Sequence, residues 1–133
     1  MMLPKGTIVA VADGEKLNLF QNAGDEADMK LTALPHQTVE TEAGTSGGHQ
    51  SSSGNPDNAQ AGEDGFSAGV VQYLNQQVLS GAMIGLVIIA APRALGEMRK
   101  HYHKALAAVL HGEIAKDLTG HSLADVERAV AAA

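Results

Sequence analysis

Six residues at the ends of apolar runs have the types and positions that could do chemistry. Asp13 and Gly14 follow 7–12 (TIVAVA), Arg93 follows 83–91 (MIGLVIIAA), and Lys116, Asp117 and Thr119 close 110–118 (LHGEIAKDL). Acids gathered on neighbouring strand ends can hold two metal ions and cleave phosphodiesters. Here Arg93 stands where such a site needs an acid. Two carboxylates with two cations read instead as ion pairing, or as a site for a small anionic ligand or a partner. No residue is assigned a catalytic role.

The other reactive types give less. Of six histidines, His101, His103 and His111 lie close in sequence but without metal-ligand spacing. No HExxH motif or cysteine accompanies them, so they read as surface residues, and neither metal nor cofactor is expected. The glycine-rich 44–48 (GTSGG) lacks the lysine of a phosphate loop. No serine lies in a G-x-S-x-G elbow.

The elements that must position the six residues follow from hydropathy. A run apolar at every position, such as 83–91, belongs in a sheet covered on both faces, and 7–12 belongs beside it. Asp13-Gly14 suits a tight hairpin through positive φ. The alternating segments 16–21 and 29–34 then complete a three-strand meander. Residues 36–64 carry no apolar periodicity and read as a flexible polar loop. A helix from about Asp64 follows, with Phe66, Val70, Tyr73, Leu74, Gln77 and Val78 on its inner face and Gly81 ending it. Pro92 opens the next helix, to about His101. Residues 102–109 add a helical turn or two. The last strand, 110–118, is an edge with Leu110, Gly112 and Ile114 on one side. Ser122 caps a final helix with Leu123, Val126 and Val130 inward and a fraying alanine tail.

The fold expected is a single α/β domain over 1–133, βββαβαβα. Its five-stranded mixed sheet has the order 3-2-1-4-5 of ribonuclease-H-like domains. In open sheets of this kind ligands bind at the carboxyl ends where the connections diverge. That edge carries Asp13, Gly14, Arg93, Lys116, Asp117 and Thr119.

Composition narrows the function. The chain has 133 residues, 44% hydrophobic and 3% aromatic, so its core must be aliphatic. Net charge −6 opposes broad nucleic-acid binding, which needs a basic face. A local basic patch remains open, since Lys100, Lys104 and Lys116 lie near Arg93 and Arg99 in sequence. Without cysteine there is no disulfide framework. The start of the chain has no signal-peptide pattern, and 83–91 is too short to span a membrane, so a cytoplasmic protein is expected.

Four short motifs in order carry a resemblance over nearly the whole chain: 9–14 (VAVADG), 66–74 (FSAGVVQYL), 90–96 (AAPRALG) and 116–119 (KDLT). Together they resemble the bacterial host attachment protein family, described as required for attachment to host cells. The resemblance implies a non-enzymatic interaction protein acting indirectly, through an unidentified intracellular partner. Two features depart from that family: 15–18 (EKLN) replaces an arginine-rich stretch, and 41–64 holds no Lys or Arg. The family is similar in turn to the middle domain of archaeal and eukaryotic class I peptide-chain release factors. That domain has the same strand order and a Gly-Gly-Gln tip between its third strand and first long helix. The corresponding loop here contains Gly47, Gly48, His49 and Gln50, which are the loop-tip candidates. The alternative function is therefore a ribosome- or RNA-associated factor working through loop 44–53. His49 interrupts the Gly-Gly-Gln pattern, so peptidyl-tRNA hydrolysis is not expected.

Overall fold

Five consecutive buried aliphatic residues can be accommodated only at the centre of a covered sheet. The computed structural model describes residues 1–35 and 57–133. In it β1 (Ile8–Ala12) and β4 (Leu86–Ala90) are parallel neighbours, buried throughout, with Ala10 opposite Ile88. β2 (Leu17–Asn22) returns antiparallel beside β1, and β3 (Leu31–Ala33) pairs with β2. β5 (Leu110–Ala115) lies parallel to β4 at the far edge. The sheet order is β3-β2-β1-β4-β5, as expected. Among the described residues four helices complete the fold: α1 (Asp57–Leu79), α2 (Pro92–Arg99), α3 (Lys104–Val109) and α4 (Leu123–Ala132).

Side chains alternate across the two central strands and fill two aliphatic layers. Ile8, Ala10, Leu86 and Ile88 pack with Val70, Val71 and Leu74 of α1, Leu95 and Met98 of α2, and Leu106 of α3. Val9, Val11, Val87 and Ile89 pack with Val126 and Val130 of α4 on the opposite face. The sheet is thus held from both sides, and its strand ends form a fixed platform.

Several boundaries differ from the sequence expectation, each for a local reason. α1 begins at Asp57, not Asp64. Its opening turns (DNAQAGE) carry no apolar stripe, so hydropathy could not reveal them. Residues 57–64 are therefore helix, and the rest of the polar stretch lies outside the described residues. The hairpin after β1 uses no positive φ, since Gly6 and Gly81 alone adopt it among the described glycines. Asp13 closes that turn with its side chain instead. β5 carries a bulge at His111: Leu86 pairs with Leu110, but Val87 pairs with Gly112. The extra residue reverses the facing, so Leu110 packs toward α1–α3 and Ile114 toward α4, not on one side. The alanine tail is helical to Ala132, and the Met1 ammonium donates to Ala133 O at 2.5 Å.

Gly81 ends α1 as expected, at φ +83°. The Ala82 amide donates to Gln77 O and the Gly81 amide to Val78 O, both within 3.0 Å, which is the Schellman pattern. Gly81→Ala should cost about 1 kcal/mol of unfolding free energy, since alanine pays for the left-handed conformation. Urea denaturation measures it; an unchanged midpoint would mean the turn relaxes without strain.

Candidate functional site

The carboxyl ends of β1 and β4 open on one crevice of about 380 Å3. β1 contributes Asp13 and Gly14, the chain after β4 contributes Arg93, and the loop after β5 contributes Asp117. These four of the expected residues come together. α1 adds Glu63, Asp64 and Ser67, which the sequence reading missed, and the hairpin adds Glu15. All four motifs behind the family resemblance therefore send residues to one place.

The Asp13 side chain accepts three hydrogen bonds. Its Oδ1 accepts the Glu15 amide at 2.7 Å and the Lys16 amide at 2.6 Å, closing the hairpin as an Asx-type turn. Its Oδ2 accepts the Thr119 hydroxyl at 2.8 Å. The same hydroxyl lies 2.9 Å from Asp117 Oδ1. One hydroxyl proton serves one acceptor at a time, so Thr119 braces both acids while satisfying them alternately. Asn18 of β2 holds this loop by donating to Thr119 O at 3.2 Å. Gly14 allows a close approach: a Cβ there would lie 2.7 Å from the Glu63 side chain. A larger residue would push Glu63 off the hairpin.

Partial burial alone would raise the Asp13 pKa. The Glu15 amide, the Thr119 hydroxyl, the Lys16 amide and the Lys16 charge outweigh it and hold the carboxyl below its ordinary 3.8. Glu113 is likewise lowered, by Arg99 first; burial opposes, and the Tyr102 hydroxyl at 2.6 Å adds to the lowering. A carboxyl with a depressed folded pKa stabilises above its unfolded pKa, and this is lost as pH falls through the folded value. Stability should therefore fall as pH drops from about 5 toward 3. Melting temperature against pH checks it, with Asp13→Asn flattening part of the slope; a rise on acidification would contradict it.

The cations do not behave as expected. Among the described residues, no ion pair joins Arg93 or Lys116 to Asp13 or Asp117, so the ion-pairing expectation fails. Lys116 is exposed beyond the last paired residue of β5 and does not line the crevice. Thr119 braces the acids without lining it. Arg93 is exposed on the crevice wall in the first turn of α2. Two of the five basic-patch candidates are paired with acids, Arg99 with Glu113 at 2.8 Å and Lys100 with Glu97 at 3.0 Å. The lining holds five carboxylates against one guanidinium, a field that attracts cations and opposes a purely anionic ligand.

Two further features face the crevice. α2 begins after Ala91 with no side-chain cap and no acid in its first turn, and Ala91 and Ala94 line the wall beside Arg93. Its first amides are therefore without side-chain acceptors at the positive end of the helix. Ser67 is only 2% exposed, yet it lines the crevice. No described residue hydrogen-bonds its hydroxyl, whose oxygen is left to the crevice. A signal existed in the sequence: Ser67 is the polar residue in the small, apolar stretch 65–71.

Among the described residues no group of acids and histidines is placed to hold a metal. His101 lies 3.2 Å from Glu97, and His103 caps α3 by accepting the Ala105 amide at 2.9 Å. His111 is exposed. Gly47, Gly48, His49 and Gln50 lie outside the described residues. Among the described residues no helix is long and apolar enough to cross a membrane.

Compared with known families, residues 6–130 match the model of bacterial archaeo-eukaryotic release factor family 12. No curated protein matches the chain.

Proposed function

The chain belongs to bacterial archaeo-eukaryotic release factor family 12, and on that basis we propose that it is a non-hydrolytic factor that engages the bacterial ribosome. The family match, which covers almost the whole domain, is the observation that carries this reading. The strand order fits it too. The segment between β3 and α1 occupies the position where the release-factor resemblance implies the working tip. Gly47 and Gln50 are the residues of that tip, and His49 between them is the reason no hydrolysis is assigned. A net charge of −6 and neutralised Arg99 and Lys100 leave few cations for phosphate contacts. Attachment then runs through protein surfaces and the loop, inside the cell.

Co-sedimentation with purified bacterial ribosomes tests it. Wild-type protein should pellet with ribosomes, and raising salt from about 50 to 200 mM should weaken binding less than about tenfold, far below a many-phosphate contact. Gly47→Ala/Gln50→Ala should abolish pelleting while leaving the melting temperature unchanged. Protein that stays in the supernatant at low salt would contradict the reading.

A second reading is an indirect role in attachment to host cells through an intracellular protein partner. It rests on the resemblance of the four sequence motifs alone. A stable protein partner recovered by co-purification, with ribosomes absent, would favour this reading over the first.

A further inference from the structure

The crevice lining carries groups of both signs. The acidic group is Asp13 and Asp117, both bonded by Thr119, with Glu63 of α1 packed against Gly14 beside them. The basic group is Arg93, in the first turn of α2, whose N-cap Ala91 provides no side-chain cap. Among the described residues no ion pair connects the two groups. Ser67, 2% exposed and with no hydrogen-bond partner among the described residues, adds a hydroxyl to the lining.

We propose that this crevice binds a zwitterion of net positive charge, of the basic amino acid type. Its ammonium groups meet Asp13, Asp117 and Glu63, its carboxylate meets Arg93 and the α2 amides, and Ser67 bonds the ligand inside the crevice. Neither group explains the lining alone. A simple cation leaves Arg93 and the helix end unused, and a simple anion meets five carboxylates. About 380 Å3 is at the low end of small-molecule sites, roughly 300–1,000 Å3, which suits a single amino acid. A free amino acid and the carboxy-terminal lysine of a peptide share this chemistry. The inference is independent of ribosome binding.

Calorimetric titration with L-lysine, cadaverine and acetate tests it, because cadaverine is lysine without the carboxylate. Wild-type protein should bind L-lysine about tenfold more tightly than cadaverine, the effect of one charge-assisted contact. Arg93→Gln should remove that preference and leave cadaverine binding unchanged. Asp117→Asn should weaken both, and Ser67→Ala should weaken L-lysine several-fold. Arg93 and Asp117 are exposed, so their variants are expected to fold. N-acetyl-Ala-Ala-Lys separates the sources: tighter binding than L-lysine assigns a peptide terminus, and weaker binding assigns the free amino acid. Equal affinity for lysine and cadaverine would overturn the proposal, as would binding of acetate alone or no binding at millimolar ligand. None of these outcomes bears on co-sedimentation with ribosomes.

Discussion

Ile88→Ala should lower the unfolding free energy by about 3–4 kcal/mol, the largest loss expected from any single truncation here. Ile88 is fully buried at the middle of β4, between Ala10 of β1 and Glu113 of β5. It belongs to the core layer shared with α1, α2 and α3. Losing three carbons forfeits their transfer free energy and leaves a cavity that strands fixed on both sides cannot close. With a total stability of about 5–15 kcal/mol usual for a domain, the variant would be marginal at 37 °C. Urea denaturation at constant m-value measures the loss; less than about 1 kcal/mol would mean that the layer repacks.

Asp13→Ala comes second, at about 2 kcal/mol. It removes the acceptor of two hairpin amides and of the Thr119 hydroxyl at once. Bonds to a charged acceptor are worth about 1.5–3 kcal/mol when buried, and partial exposure lowers each. Asp13→Asn keeps one oxygen for the hairpin amides and loses the charge, so its cost should be about 1 kcal/mol or less. Comparing the two separates turn closure from the electrostatic role. Equal costs would show that the charge, not the turn geometry, carries the effect.

How far the fold was legible depends on how its elements signal themselves. β1 and β4 declare themselves as charge-free runs, and their adjacency fixes the order of the whole sheet. The helix caps were equally readable, since Ser122 and Gly81 act where their types suggest. α1 was misplaced at its start because a helix is visible to hydropathy only where it touches a core. The β5 facing was wrong because one bulged residue, His111, reverses an alternation that local pattern takes as unbroken. The crevice was half legible. Asp13, Arg93 and Asp117 follow from strand ends, whereas Glu63, Asp64 and Ser67 reach the site across the sheet from a helix whose register no local pattern fixes. The same limit hid the Tyr102–Glu113–Arg99 cluster, joined only when α2 and β5 pack together. Thr119 was expected at the edge, but its bridging of two acids depends on the loop held by Asn18.

Ribosome engagement through loop 44–53 is the central claim, and site-specific photocrosslinking tests it most directly. A crosslinker at His49 probes the proposed tip. One at Ile84, which is 76% exposed before the amino end of β4, probes the opposite end of the sheet. With purified bacterial ribosomes, the His49 probe should form crosslinks to ribosomal components and the Ile84 probe should form none. Equal labelling from both positions, or none from His49, would contradict the account.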